Sequence, residues 1–144
     1  MSFADHVANA PGIWRSAHPA DKEAIAALRA AAPIELPVTY LEMLAVTNGG
    51  EGDLGIKPGW FAPWPAEDVI RLNAGYQVAD NLPKLFGFGS NGGGELIAFD
   101  TRDSQPWPIV MVPFVPMEMT EAVLIARDFD EFSNAIGVPE DDHE

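Results

Sequence analysis

Four carboxylates, Glu51, Asp53, Glu95 and Asp100, flank glycine-rich turns where side-chain and backbone oxygens could hold a hard cation. Their spacing does not reproduce a calcium loop, which alternates its oxygen ligands and closes with a glutamate at the twelfth position. Histidine is limited to His6, His18 and His143, all outside the segments that read as packed elements, so no catalytic triad or histidine-rich metal site assembles. Gly87-x-Gly89-x-x-Gly92 has the spacing of a dinucleotide fingerprint, but that fingerprint needs a helix opening at its third glycine to meet a pyrophosphate. Two more glycines and the strand-like Leu96-Ile97-Ala98-Phe99 follow instead, and no phosphate-loop Gly-Lys-Ser/Thr occurs. The absence of cysteine removes disulfides, thiolate nucleophiles and zinc–thiolate sites together. These residue types assign no cofactor and no metal; a small hydrolase or metal-dependent enzyme is the alternative that the plentiful carboxylates leave open.

Two of these carboxylates, Glu51 and Asp53, are also candidates for a binding surface. The 144-residue chain carries 8 basic against 22 acidic residues, a formal net charge of −14. That balance opposes direct nucleic-acid binding, which depends on Lys and Arg neutralising phosphates. It suits a basic protein partner, whose approach an acidic surface accelerates by steering, or else it serves solubility. The carboxylates near turns, Glu51, Asp53, Glu67, Asp68, Glu118 and Glu121, are the candidate partner contacts. In Gly59-Trp60-Phe61-Ala62-Pro63-Trp64-Pro65, Trp60 or Trp64 is a candidate anchor, because Trp and Tyr dominate interface hot spots. The structural alternative makes this segment a proline-limited edge strand with one face in the core.

The elements that must position these residues centre on Leu85 to Asp100. Two apolar, aromatic-rich arms flank Ser90-Asn91-Gly92-Gly93-Gly94, the pattern of a β-hairpin. Alternation places Phe86 and Phe88 on one face and leaves Gly87 and Gly89 as a bare face against which something packs closely. A helix from Pro19 carries Ile25, Leu28 and Ala32 on one side and stops at Pro33; a second from Leu36-Pro37 carries Val38, Leu41, Leu44 and Ala45, with Tyr40 half buried beside that stripe. Asn48-Gly49-Gly50 ends it. Leu54-Gly55-Ile56 reads as a short strand, and Pro65 starts a third helix with Val69, Leu72 and Tyr76 on one face. Trp107 to Val112 and Ala122 to Ala126 are further strands, before Asp128 caps a last helix bearing Phe129, Phe132 and Ile136.

This organisation is a single α+β domain over residues 19–137, preceded by an N-terminal extension at 1–18 without clear period and followed by an acidic tail at 138–144. Trp14 in the extension reads as a packing ring. The start shows no basic, apolar signal segment and no apolar run is long enough to span a bilayer, so the expected location is the cytoplasm, without membrane contact.

The order of several motifs resembles the SUKH superfamily, the bacterial immunity proteins that include the Smi/Knr domain of fungal cell-wall regulators. The resemblance rests on Leu36-Pro37-x-x-Tyr40-x-x-x-Leu44 and Asn48-Gly49-Gly50-Glu51, then Trp64-Pro65-x-Glu67-x-Val69. It continues through Phe86-Gly87 and Leu96-Ile97-x-Phe99-Asp100 to Phe129-x-x-Phe132, covering most of the chain from about Asp21 to Gly137. It implies an antiparallel-rich sheet with helices packed largely on one side and a non-catalytic role. Family members bind and neutralise a toxin domain, often a nuclease, so the resemblance implies a toxin with a basic surface as partner. A Smi/Knr-like regulator or scaffold binding a cellular protein is the other function it implies.

Overall fold

A computed structural model describes residues 2–140; Met1 and residues 141–144, and with them His143 and most of the acidic tail, lie outside the described residues. Among the described residues, seven antiparallel strands run in chain order across one sheet. They are β1 (Trp14–Arg15), β2 (Glu51–Asp53), β3 (Trp60–Pro63), β4 (Leu85–Ser90), β5 (Glu95–Asp100), β6 (Ile109–Pro113) and β7 (Val123–Ala126). The helices among the described residues are α1 (Phe3–Ala8), α2 (Lys22–Ala31), α3 (Val38–Val46), α4 (Val69–Gly75), α5 (Val78–Asn81) and α6 (Phe129–Asn134). This is a single α+β domain of the expected class.

The central hairpin forms as read, with Gly92 supplying the positive φ of its turn. Its first arm carries a bulge between Gly87 and Gly89, which sends the two phenylalanines to different neighbours. Phe88 stacks on Phe99 at 4.4 Å between ring centroids, while Phe86 lines a cleft with Pro33, Ile70 and Ala79. Simple alternation had placed both rings together. The bare face is filled as expected: a Cβ on Gly87 would lie 3.1 Å from the Trp64 ring and 2.9 Å from Leu96.

Tyr40 is the hub of the core. Its ring makes edge contacts with Phe88, Phe99 and Phe129 at 5.3–5.6 Å. The buried stripe of α3 is Tyr40, Met43 and Leu44, continued by Thr47, rather than the Val38–Leu41–Leu44–Ala45 stripe; Val38 is 70% exposed. Both stripes have helical spacing in an almost wholly apolar helix, so periodicity alone cannot orient it. Tyr40 is fully buried instead of rim-bound, and its hydroxyl has no partner among the described residues.

Three other elements differ from expectation. The N-terminal extension contributes a helix and a strand: Ser2 Oγ accepts the Asp5 amide at 3.1 Å to start α1, and β1 joins the sheet through Trp14 opposite Gly52. His6 therefore sits on a packed helix, its Nε2 2.8 Å from the Ile136 carbonyl oxygen. The strand after the first glycine pair is Glu51–Asp53, because Leu54 instead bridges Ile136. Pro65 opens a turn rather than a helix; α4 begins at Val69, and Tyr76 beyond its end is 45% exposed.

Candidate functional site

The sheet register builds a polar face from alternating residues. Arg15 pairs with Glu51, and Asp53 pairs with Trp60, so these four side chains share one side of β1–β2–β3. Gly52, Phe61 and Trp14 occupy the opposite side, where the Trp14 and Phe61 rings stack 6.3 Å apart in the core. A carboxylate–glycine–carboxylate triplet thereby becomes a strand whose acids point outward.

Trp60 is the centre of this face. Its indole N–H donates to Glu51 Oε1 at 3.0 Å, and the Arg15 guanidinium lies 5.8 Å from its ring centroid, within cation–π range. The hairpin tip supports it from beneath, since a Cβ on Gly92 would meet the indole at 3.2 Å. Glu51 is exposed and Trp60 half buried, so an incoming surface meets a carboxylate beside an oriented ring.

Glu67 extends the same end of the molecule. Its Oε1 accepts from the Asn48 side-chain amide at 2.8 Å, while Asn48 Oδ1 accepts the Ala66 amide at 2.7 Å. The left-handed pair Gly49 and Gly50 lets this loop turn tightly, and a Cβ on Gly49 would sit 3.3 Å from Pro65. Buried Thr47 holds it from below by donating to the Gly49 carbonyl and accepting the Ala17 amide. One Asn48 side chain therefore ties the Gly49–Gly50 corner to the turn that displays Glu67.

The remaining candidates do other work. Asp53 Oδ2 accepts the Ile13 amide at 2.7 Å and anchors the N-terminal segment. Asp68 pairs with Arg71 at 3.0 Å on the surface. Trp64, a candidate anchor from sequence, is only 8% exposed, stacked beneath Tyr76 at 6.0 Å between centroids; its ring belongs to the packing around Gly87. Glu118 and Glu121 are exposed beside the 3-10 turn Met119–Glu121 before β7. This second acidic group lies on the connection between β6 and β7, toward the margin of the sheet opposite to the one near Glu51.

Among the described residues no three His, Asp or Glu side chains converge as a metal site. Asp100 is clamped by Arg102 through bonds of 2.8 and 2.9 Å, and that hydrogen bonding holds its carboxyl below the usual carboxylate range. A groove of about 230 Å³ between Val38, Trp107 and Phe129 includes Asp128 and Asp130, but Asp128 already caps α6 by accepting the Glu131 amide at 2.8 Å. No helix among the described residues is long and apolar enough to cross a membrane.

Sequence reading missed Arg15, because a two-residue strand has no period to detect. It also missed that Glu51 and Asp53 are themselves strand; their i, i+2 spacing about a glycine was the available signal.

The profile of the SMI1 / KNR4 family (SUKH-1) matches residues 19–135. The chain belongs to this family. A search of curated proteins finds no match.

Proposed function

We propose that this chain is a non-catalytic immunity-type protein that captures and neutralises a toxin domain with a basic surface, a nuclease being the class best suited to it. The observation that carries the reading is the outward Glu51–Trp60 pair on a strongly acidic member of the SMI1/KNR4 family. A nuclease surface that holds nucleic acid is basic, and an acidic protein occupies it by complementarity. Glu51, Trp60 and Glu67 form the contact centre, with Asp68 at its rim, and the encounter takes place in the cytoplasm.

The test is co-expression with toxin domains encoded beside the gene. Rescue of growth, together with a stoichiometric complex whose formation slows as salt rises, supports the reading. Failure of every such toxin, with a resident protein captured from unchallenged cells and a growth defect on deletion, replaces it. That second outcome belongs to the regulatory reading, which the SMI1/KNR4 membership equally supports. Turnover of a substrate by the purified chain would overturn both.

A further inference from the structure

We propose that Arg15 holds the place of a partner's arginine, whose guanidinium displaces Arg15 from Trp60 and pairs with Glu51. The inference rests on the reading of this face as the partner contact, and it names the side chain received there. Strand register sets Arg15 directly opposite Glu51, the position at which opposite charges on neighbouring strands ordinarily pair. They do not pair here. Among the described residues Arg15 makes no ion pair; Glu51 is turned to the Trp60 indole N–H at 3.0 Å, and the guanidinium lies over the ring, 5.8 Å from its centroid.

The resident arginine shows what this face accepts. A carboxylate beside an aromatic ring offers a guanidinium both of its favoured contacts, hydrogen bonds in its plane and stacking on its surface. A lysine ammonium is a compact, strongly hydrated point charge and gains less from the ring. The second oxygen of Glu51 has no partner among the described residues, so it is open to a new donor. An arginine arriving from outside is not tethered to β1 and can reach the carboxylate and the ring together.

Arg15 is also weakly held. It is exposed, and its contact with Trp60 is of the kind that contributes least when solvent reaches it. Its charge repels a basic partner for as long as it stays on the contact face, and swinging into solvent relieves that. While it covers the ring, a partner binds only the fraction of molecules in which the ring is open, and its apparent affinity falls by that fraction. Removal of the Arg15 side chain therefore strengthens binding at this face.

A nuclear magnetic resonance titration of the full chain with N-acetylarginine methylamide, against the lysine analogue at equal ionic strength, tests this at the Trp60 indole N–H and the Arg15 side chain. The expected result is a saturable shift of the indole signal with a dissociation constant of about 1–30 mM, and the ring-current shift of the Arg15 δ-protons is lost along with it. The lysine amide should bind at least roughly threefold more weakly. Arg15→Ala should tighten arginine-amide binding roughly threefold, whereas Arg127→Ala, which removes an equal charge beyond β7 at the other margin of the sheet, should leave it unchanged. Glu51→Gln keeps an acceptor for the indole and should weaken binding roughly fivefold. An indole signal that does not titrate, an equal response to both amides, or an Arg15 that stays on the ring overturns the proposal. The amide needs no toxin, so that failure leaves the rescue assay to judge the immunity reading. Failure of the rescue with the amide still bound leaves the arginine site to a different partner.

Discussion

Asn73 on α4 brackets the peptide of Gly87 on β4, donating its side-chain amide to the Gly87 carbonyl at 2.9 Å and accepting the Gly87 N–H at 2.8 Å. Strand β3 pairs with β4 only at Ala62–Ser90 and Pro63–Gly89, then turns away after Trp64. One asparagine amide therefore stands in for the missing strand, and the same Nδ2 also bonds the Val69 carbonyl of its own helix. The hairpin and α4 are locked together where the sheet would otherwise expose backbone.

Replacing Asn73 with alanine strands a donor and an acceptor in a part-buried position. The expected cost is about 2–3 kcal/mol, since each unmet buried group loses more than an ordinary hydrogen bond contributes. Urea denaturation should show a lower midpoint with an unchanged slope; a loss below about 0.5 kcal/mol would mean that water replaces the bracket.

Two glycines of the same hairpin should respond oppositely to alanine. A Cβ on Gly89 meets the Ala62 carbonyl oxygen at 2.9 Å and Pro63 Cα at 3.0 Å, both backbone, so β3 must part from β4. Gly89→Ala should cost about 3 kcal/mol. A Cβ on Gly94 meets nothing within 4 Å, and its φ is not positive. Gly94→Ala should therefore be neutral or stabilise by up to about 1 kcal/mol through the unfolded chain. Thermal melts of the two variants give the comparison directly, and equal losses would contradict the packing described.

Tyr40 carries a buried hydroxyl without a partner, and burial pushes its ionisation well above the ordinary tyrosine range. Tyr40→Phe removes an unpaired polar group and should stabilise by about 1 kcal/mol at neutral pH. The pH dependence has a definite sign. Above about pH 10 the unfolded tyrosine loses its proton while the folded one keeps it, so the parent loses stability with rising pH by up to about 1.4 kcal/mol per unit. Below that pH this contribution is fully present. Urea melts between about pH 8 and 11.5 should show the gap between Tyr40→Phe and the parent widening only at the alkaline end; a constant gap would mean that the hydroxyl is solvated.

For the proposed toxin contact, Trp60→Ala should weaken the complex by about 2 kcal/mol, near thirtyfold, mainly through faster dissociation. Glu51→Lys should chiefly slow association and reduce its salt dependence. Stopped-flow kinetics with a toxin found by the rescue assay would separate the two effects. Unchanged kinetics in both variants would move the contact to another face.

Much of the fold was legible because local chemistry agreed with it. The hairpin announced itself through its glycine cluster between aromatic arms, and Asp128 as the cap of α6 is a local hydrogen bond to Glu131. Length, charge and the lack of cysteine bounded the chemistry before any element was placed. The family resemblance was carried by motif order, which no single motif supplied.

What tertiary structure alone decided was orientation and partnership. An apolar helix such as α3 has two stripes of acceptable period, and only the Phe88–Phe99–Phe129 surface selects Tyr40 as the inward residue. The bulge at Gly87–Gly89 parts Phe86 from Phe88, a break in alternation set by the partner strand. Trp60 and Trp64 are four residues apart and chemically identical, yet one faces the acids and the other lies under Tyr76. Composition determines that such a chain is acidic and buries aromatic rings. Which carboxylate meets which ring depends on strand register, a long-range property that neither residue encodes by itself.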